Sequence, residues 1–521
     1  MAGTDLTHVV LGGGQRQTQP LSLQGEGRAA AGVRSYNLRE MPNPIPPAAV
    51  RDLRRALAPD RVLSAPEDLL VFEYDGTIER GQPQVVVFPD TTAEVAAAVV
   101  IANRYDLPIV PRGAGTGLSG GAVAAVGGVI VALTRMRRIL EVDVANRTAL
   151  VEPGVVNLDL SKAVAPHGLY YAPDPSSQRA CTIGGNVAEN AGGPHCLAYG
   201  VTTNHVLGLE LVLADGEVVW TGGVARDLPG YDLTGVVVGS EGTLCIVTKA
   251  LVRLLRVPEA TRTLLAIFDS IDQATAAVSA VIAAGLVPAA LEMMDDVTLR
   301  ALAALNMGYP QEAGAVLLIE VEGLTEAAEA DAAQARAVCQ GAGAREIREA
   351  SDPADRERLW AGRKGAIGAF GQIAPNYYVL DGVVPRTKLP AVMRGVAAVG
   401  ERFGFPIANV FHAGDGNLHP CILFDERRPG ETKRVLDAGE EIMRICVDAG
   451  GSITGEHGVG LEKRDFLPWI FSEADLAAMA KLKAAFGAGE RFNPCKAFPT
   501  TKGCGEVRSK LIQALGPDAY V

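Results

Sequence analysis

The sequence predicts an α+β protein of two domains, because two long stretches of the chain differ in pattern. From residue 84 to 257, short β-branched runs alternate with glycine turns and few helices are indicated, which is typical of a domain whose loops bind a ligand. After Pro258, strands and helices alternate regularly, which favours an antiparallel sheet covered on one face by helices. We therefore predict a first domain over 45–258, a second over 259–486, and a C-terminal segment, 487–521, that returns to the first domain.

The elements of the first domain follow from turn residues and apolar runs. Pro46 and Pro47 precede an amphipathic helix predicted over 48–57. Further helices are predicted over 91–105 and 158–167. The predicted strands are 85–88, 108–111, 129–133, 207–213 and 243–248.

The second domain contains longer helices between apolar strands. Strands are predicted over 263–268, 315–321, 377–384 and 407–411, and helices over 271–284, 325–339, 353–370, 388–402, 431–448 and 473–486. The uncharged stretch 273–291 is interrupted by Gly285 and Pro288, so we interpret it as a helix followed by a strand and not as a membrane span.

Composition excludes several classes of protein. The chain has 48 Lys+Arg and 60 Asp+Glu, a net charge of −12, which argues against a nucleic-acid-binding surface. The eight cysteines form no C-x-x-C pair, so neither a zinc ribbon nor a cysteine-ligated iron–sulfur cluster is expected. Scattered cysteines at this low density are typical of a protein in the reducing cytosol. Residues 1–44 show no hydrophobic period and no signal-peptide pattern, and we predict a disordered leader there.

A first glycine cluster follows the predicted strand 108–111. Its glycines let several backbone N–H groups point at one pyrophosphate, and such a loop can bind the pyrophosphate without needing a cationic side chain. The candidate cofactor residues are Arg112, Gly113, Ala114, Gly115, Thr116, Gly117 and Ser119. The spacing also fits a dinucleotide fingerprint, but only five residues precede Gly127, too few for the helix that a Rossmann site requires. A merely flexible loop is the other alternative.

Two further clusters strengthen the cofactor interpretation. The second offers polar groups and close-packing glycines at Pro173, Asp174, Thr182, Gly184, Gly185, Asn186 and Asn190. The third cluster, at 239–243, forms a glycine turn before an apolar strand and adds Glu241 and Gly242 to the cofactor candidates.

Three of the seven histidines lie in two compact motifs, F-H-A-G-D-G-N-L-H at 411–419 and G-E-H-G-V-G at 455–460. His412, His419 and Glu456 would make a two-histidine, one-carboxylate site for Zn²⁺, Mn²⁺ or Fe²⁺. For any single histidine, a neutral buried core position is the alternative.

Such a site suits the oxidation of a 2-hydroxy acid. A metal ion lowers the pKa of the substrate hydroxyl, and a neutral imidazole beside it, for which we choose His457, accepts the proton. Arg363 would grip the substrate carboxylate, although a solvated charge on a helix face is its alternative. Asn417, within the first histidine motif, completes the catalytic candidates.

These motifs, in this order, resemble the FAD-linked oxidase family of D-2-hydroxy-acid dehydrogenases, and within it the FAD-linked subunits of bacterial glycolate oxidases. The motifs that carry the resemblance are P-R-G-A-G-T-G at 111–117, P-D-P-S at 173–176, G-G-N-V-A-E-N-A-G-G at 184–193, G-S-E-G-T-L at 239–244, W-A-G-R-K at 360–364, N-Y-Y-V-L-D-G at 376–382, N-V-F-H-A-G-D-G-N-L-H-P at 409–420 and G-E-H-G-V-G-L-E-K at 455–463.

The resemblance implies an FAD-binding domain of the vanillyl-alcohol oxidase / p-cresol methylhydroxylase type, followed by a cap domain with the metal and substrate site. By the same resemblance Ile246 and Asn493 join the cofactor residues. Covalent relatives often place a histidine where Thr116 stands, so noncovalent FAD is expected.

The implied activity is oxidation of glycolate to glyoxylate. The implied partners are a second flavin-domain subunit and an iron–sulfur subunit, and the implied location is cytoplasmic or peripheral at the inner face of the membrane, through those partners only. D-Lactate dehydrogenase (cytochrome) and a non-catalytic flavin-binding subunit are the alternatives. Two departures from the family pattern are Cys495, where relatives usually have glycine, and Val379, where relatives acting on D-2-hydroxyglutarate carry lysine.

Overall fold

The computed structural model describes residues 44–225, 229–305, 308–487, 489 and 491–499. The predicted disordered leader, except for Pro44, and residues 500–521 lie outside the described residues, so the predictions made for them stay predictions.

The segment predicted as the first domain, called the first domain below, contains a small mixed sheet and two antiparallel sheets. In chain order its helices are α1 (Pro47–Leu57), α2 (Pro66–Leu69), α3 (Thr92–Arg104), α4 (Asn157–Val164), α5 (Ile183–Glu189), α6 (Cys196–Tyr199) and α7 (Leu233–Val237). Its strands are β1 (Val62–Leu63), β2 (Val85–Val87), β3 (Ile109–Arg112), β4 (Val129–Ala132), β5 (Ile139–Asp143), β6 (Thr148–Val151), β7 (Leu169–Tyr170), β8 (Val206–Val212), β9 (Val218–Gly222), β10 (Ile246–Arg253) and β11 (Leu255–Arg256). The sheets run β1-β2-β4-β3, β5-β6-β10-β8-β9 and β11-β7.

Local sequence explains most of these elements. Pro47 starts α1, and Ala49, Leu53 and Leu57 recur every four residues on its buried face. The side chain of Thr91 caps α3 by accepting the backbone N–H of Glu94. Strands β5 and β9 were not predicted, because both lie at the edges of a sheet and several of their side chains are exposed.

The second domain is built on one antiparallel sheet. Its strands are β12 (Ala260–Phe268), β13 (Ala290–Asp295), β14 (Ala315–Gly323), β15 (Glu346–Glu349), β16 (Asn376–Val379), β17 (Gly382–Val383), β18 (Ile407–His412), β19 (Asn417–Leu418) and β20 (Pro420–Phe424). Its helices are α8 (Ile271–Ala283), α9 (Asp296–Ala303), α10 (Thr325–Gly341), α11 (Pro353–Ala369), α12 (Leu389–Phe403), α13 (Glu431–Asp448) and α14 (Glu473–Ala485). The path is β15-β12-β14-β13-β18-β19-β17, with β20 pairing β18 and β16.

Helices cover both faces of this sheet, so the prediction of one covered face was wrong. Leu264, Ala266 and Phe268 of β12 share a core with residues of α8, α10, α12 and α13. Leu265 and Ile267, which point the other way, pack with residues of α9 and α11. Central strands that are apolar on both faces need a cover on each.

The single strand predicted over 377–384 was also wrong. The chain forms β16, leaves the ladder at Leu380 and Asp381, and resumes as β17. Asp381 is fully buried there, and its carboxylate accepts backbone N–H groups from residues 455–457. The break therefore supplies an acceptor for a distant loop.

The uncharged stretch 273–291 forms α8 and the start of β13, as predicted. Across the described ranges, no helix combines the length and apolar character needed to cross a membrane. No disulfide joins the seven cysteines within those ranges.

The last described residues lie against the first domain. Phe492 forms a parallel bridge with Ile109 of β3, and the N–H of Asn493 donates to the Ile109 carbonyl at 2.7 Å. Lys496 Nζ donates to the Val123 carbonyl at 2.7 Å. Asn493 and Cys495 both have positive φ, at 41° and 66°, so the chain turns tightly where the sequence departs from its family pattern.

Candidate active site

A cavity of about 420 Å³ is lined by residues of both domains. Most of the predicted cofactor residues lie in its wall: Arg112, Gly113, Ala114, Gly115, Thr116, Gly117, Thr182, Gly184, Gly185, Asn186, Glu241 and Gly242. The second domain contributes Arg363, His419, Glu456 and His457. The structure thus brings the glycine clusters and most of the histidine motifs to one space.

Buried contacts shape the first glycine loop. The guanidinium of Arg112 donates to the carbonyls of Tyr74 and Ala122, at 2.8 and 3.2 Å. A Cβ at Gly113 would lie only 2.5 Å from Oγ1 of Thr182, the N-cap residue of α5. The loop therefore lies directly against the start of α5, and no helix follows it, as expected of a site that is not of the Rossmann type.

Six predicted cofactor residues are not among the lining residues of this cavity: Ser119, Pro173, Asp174, Asn190, Ile246 and Asn493. Asn493 Nδ2 donates to the carbonyls of Gly121 and Glu241, at 2.9 and 2.6 Å, so it joins two of the glycine loops. Pro175 and Ser176 line the cavity in place of the two residues before them.

Asp174 belongs to a buried polar cluster that joins the two domains. Its Oδ2 lies 2.8 Å from His195 Nδ1, and His195 Nε2 lies 3.4 Å from Oε1 of the fully buried Glu320. Arg356 and Trp360 of α11 also donate to Glu320, at 2.6–2.7 Å and 2.8 Å. Burial opposes a charge on His195, but Asp174 and Glu320 outweigh it and raise its pKa well above the usual range.

The three predicted metal ligands converge. Nε2 of His412 lies 3.0 Å and Nε2 of His419 lies 3.3 Å from Oε1 of Glu456. The turn at Asp415 and Gly416 produces this approach, because it reverses the chain between β18 and β19 and pairs His412 with Asn417. The ligand atoms of His412, His419 and Glu456 all lie within 4.8 Å of one another.

Charge is concentrated at this point. Burial opposes ionisation of both groups, but Glu292 and Glu456 raise the pKa of His412 to about 10, and His412 lowers the pKa of Glu456 to about 2. A cation binding here would have to displace the proton of His412, which makes its affinity depend on pH.

Asp381 is a component of the site that sequence reasoning missed. It groups with His419 and His457, with ligand atoms within 4.8 Å of one another, as a second possible metal set. Burial opposes its charge, but Lys463, at 3.0 Å, acts together with His457 and His419 to hold the pKa of the carboxyl well below its usual range. The available signal was a lone carboxylate within the apolar segment 377–384, just before Gly382.

His457 has the properties of a proton acceptor. Burial lowers its pKa to about 4, so the imidazole is neutral at pH 7. Its ring stacks on that of His419 at a centroid distance of 4.9 Å. Its Nδ1 is buried and has no hydrogen-bond partner in the described part of the chain, and a neutral imidazole nitrogen of this kind can accept a proton.

Arg363 is buried in α11 and is not a solvated surface charge. Its Nε and Nη2 contact Oε2 of Glu292, at 2.7 and 2.6 Å. Glu292 is fully buried and was also missed, although it stands between the apolar residues Leu291 and Met293 of β13. Arg363 also lines the cavity, with its guanidinium paired to Glu292.

Asn417 is the one predicted catalytic residue that is not among the cavity's lining residues. It is buried in β19, and a Cβ at Gly455 would lie 2.5 Å from its amide carbon. Its position supports the packing of the loop that carries Glu456.

The residues present fit both groups that the motifs imply. At Gly117, a Cβ would meet nothing closer than Glu189 Oε1 at 4.0 Å, so the loop leaves room beside the cavity for a diphosphate. At the histidine cluster, Nε2 of His419 is buried and forms no hydrogen bond within the described residues, yet it faces two carboxylates. An imidazole–carboxylate set of this kind suits a borderline divalent cation.

Comparison with known proteins agrees with this architecture. Residues 83–222 match the FAD binding domain family, and residues 257–497 match the family described as FAD linked oxidases, C-terminal domain.

Relatives align over most of the chain. The glycolate oxidase subunit GlcD of Escherichia coli (strain K12) is 46% identical over 447 residues, which covers 85% of this chain and 90% of the relative. GlcD of Bacillus subtilis (strain 168) is 42% identical and covers 82% and 92%. A D-lactate dehydrogenase of Anaerostipes hadrus is 33% identical and covers 87% and 98%.

Solved structures support the fold. Substrate-bound p-cresol methylhydroxylase superposes with a TM-score of 0.73 at 18% identity and covers 86% of this chain and 96% of its own. The 4-ethylphenol oxidase of Gulosibacter chungangensis also gives 0.73 at 18% identity, with coverage of 89% and 99%. The chain therefore belongs to the FAD-linked oxidase family that includes GlcD subunits and D-lactate dehydrogenases, and it is an FAD-dependent oxidoreductase with a fold of the p-cresol methylhydroxylase type.

Proposed function

We propose that this chain oxidises a short 2-hydroxy acid, glycolate to glyoxylate: His457 would take the hydroxyl proton, and noncovalent FAD would accept the C2 hydrogen together with its bonding electron pair. The observation that carries the proposal is that His419, Glu456, His457 and Arg363 line the same cavity as the glycine loops. The relatives named glycolate oxidase subunit support the choice of acid.

His412, His419 and Glu456 would hold a divalent cation, which is Zn²⁺, Mn²⁺ or Fe²⁺ by its ligand set. The glycine loops and the start of α5 would hold FAD. When bound, the cation supplies Lewis acidity toward the substrate hydroxyl and FAD supplies a two-electron acceptor.

The protein residues bind and orient the acid. Arg363 and Lys364 present positive charge toward the cavity, which suits the substrate carboxylate. Ile367, Val379 and Val410 form an apolar part of the wall that excludes water. His457 Nδ1 accepts the hydroxyl proton, because it is neutral at pH 7 and has no other partner in the described structure.

D-Lactate is the second candidate substrate, because the apolar wall can accept a methyl group and several relatives are D-lactate dehydrogenases. One methyl group is worth only about 1–3 kcal/mol of discrimination.

A non-catalytic flavin subunit is disfavoured, since His412, His419, Glu456 and His457 lie together. A second flavin-domain subunit and an iron–sulfur subunit are proposed as partners that carry electrons onward, which would place the protein at the inner face of the membrane only through them.

The purified chain should show a flavin spectrum and bind about one divalent ion. Anaerobic addition of glycolate or D-lactate should bleach the flavin, and the faster acid is the substrate. His457→Ala should retain flavin and lose turnover with an artificial electron acceptor, whereas the exposed His167, replaced by alanine, should change nothing. Full turnover in the His457→Ala variant would remove His457 as the base.

A further inference from the structure

The loop 454–460, which carries Glu456 and His457, is held through its backbone. From the second domain, the buried Asp381 carboxylate accepts the N–H groups of Gly455, Glu456 and His457, at 3.0, 3.3 and 3.0 Å. Three successive N–H groups pointing at one carboxylate form a nest, which fixes the direction of the chain on either side.

A second carboxylate reaches the same loop from the first domain. Oε1 and Oε2 of Glu241 accept the N–H groups of Val459 and Gly460, both at 2.7 Å. Glu241 follows α7 in the third glycine cluster and is 5% exposed. Of the six consecutive residues 455–460, all except Gly458 therefore donate a backbone N–H to one of two carboxylates, one from each domain.

Gly458 lets the two domains come this close. A Cβ there would lie 2.4 Å from Glu189 Oε2 and 3.0 Å from Glu241 Oε1, and its φ of 86° is in the left-handed region. The N–H of Gly458 donates to Thr454 Oγ1 at 3.1 Å, which closes the loop on itself.

Both side-chain oxygens of Glu241 are engaged by the loop. Each of its oxygens already accepts a short hydrogen bond, and its own carbonyl accepts from Asn493 Nδ2 at 2.6 Å. Glu241 is a predicted cofactor residue and lines the cavity, but the geometry assigns its side chain to the loop.

We propose that Glu241 and Asp381 are positioning residues. Together they fix the backbone of the loop 454–460, and so the positions of Glu456 and His457 relative to the flavin-binding domain. The part that concerns catalysis rests on the proposed function of Glu456 and His457. The backbone contacts themselves do not depend on it.

The test is Glu241→Gln, which keeps the size of the side chain but turns one acceptor into an N–H₂ donor facing an N–H group. Amide hydrogen exchange of the loop peptide 454–461 should become at least tenfold faster, because one of its bonds is lost. The dissociation constant for FAD, measured on the apoprotein, should stay within about twofold. The dissociation constant for Zn²⁺ should rise about 10–100-fold, as when an outer-shell partner is removed.

Two further variants complete the design. Asp381→Asn removes the second-domain acceptor of the loop, so it should also speed amide hydrogen exchange of the peptide 454–461. It should weaken Zn²⁺ binding and leave the dissociation constant for FAD unchanged. The exposed Glu217, replaced by glutamine, is the matched control and should change none of these quantities.

The outcomes separate the two proposals. Unchanged exchange of the loop in Glu241→Gln, or loss of FAD with Zn²⁺ affinity retained, would overturn the positioning role. Faster loop exchange in a protein whose wild type binds no divalent ion would support the positioning of the loop and contradict the proposed metal-assisted function.

Discussion

Arg363 and His412 share a single buried partner, Glu292. Oε2 of Glu292 lies 2.6 Å from Nη2 of Arg363, and Oε1 lies 2.8 Å from Nδ1 of His412. This carboxylate joins the residue proposed to bind the substrate carboxylate to a residue proposed to bind the metal. It also fixes which nitrogen of His412 faces Glu456, since Nδ1 is engaged and Nε2 is directed at Glu456.

Glu292→Gln should therefore weaken metal binding by about 10–100-fold. It should also lower the free energy of unfolding by about 3–5 kcal/mol, because Arg363 is left buried without a counter-charge. Zn²⁺ titration of the apoprotein and urea denaturation measure the two effects. Glu329→Gln, an exposed change on α10, is the control, and equal metal affinity in the two variants would contradict the role of Glu292.

Gly117→Leu should abolish FAD binding and leave the metal site intact. The backbone at Gly117 is not in the left-handed region, and its Cβ direction is open to 4.0 Å, so the new side chain would fill space beside the cavity without strain. Flavin absorbance and metal content after purification measure the two sites separately. Gly341→Ala, where no atom lies within 4 Å of the added Cβ, is the control. A yellow Gly117→Leu protein would show that the cofactor lies elsewhere.

Val379→Lys should shift specificity toward acids with a second carboxylate. Val379 lines the cavity with Arg363 and Val410, so a lysine there would add a positive charge opposite a distal carboxylate. We expect kcat/KM for D-2-hydroxyglutarate to rise at least tenfold and that for glycolate to fall. Val379→Met, which adds length without charge, should lower kcat/KM for both acids. A rise in kcat/KM for D-2-hydroxyglutarate with methionine would mean that the size of the side chain, and not its charge, determines specificity.

Asp295 should make stability depend on pH. Burial raises the pKa of Asp295 to about 6, above an unfolded value of about 3.9. The contribution to stability is therefore fully present below about pH 4 and is lost as pH rises through about 6. At about 1.4 kcal/mol per pKa unit, the loss is about 2–3 kcal/mol.

Asp295→Asn isolates this contribution. Asparagine still caps α9, and the unpartnered Oδ1 of Asn409 can accept from the new amide. The free energy of unfolding of the variant, minus that of the wild type, should increase by about 2–3 kcal/mol between pH 4 and 7. A difference that stays constant with pH would show that Asp295 is ionised throughout this range.

The family, the fold class and most elements followed from the sequence because they depend on local patterns. Gly117 and its neighbours predicted a phosphate-binding loop, and the two histidine motifs predicted a cluster, since each motif is short and its turn residues are explicit. Helix α1 was predicted from a proline start and apolar residues at every fourth position. The edge strands β5 and β9 were not, because half-exposed strands lack a continuous apolar run.

The amino-acid sequence by itself determined which chemistry-bearing groups are present: the glycine loops, the histidines 412, 419 and 457, and Glu456. The tertiary structure alone decided which carboxylates surround them. Glu292, Asp381 and Glu241 come from three separate strands or loops. Each is buried against residues that are distant from it in the sequence. Their partners could not be predicted, because the free energy that keeps a buried carboxylate charged comes from long-range ion pairs and backbone N–H groups, which have no local pattern.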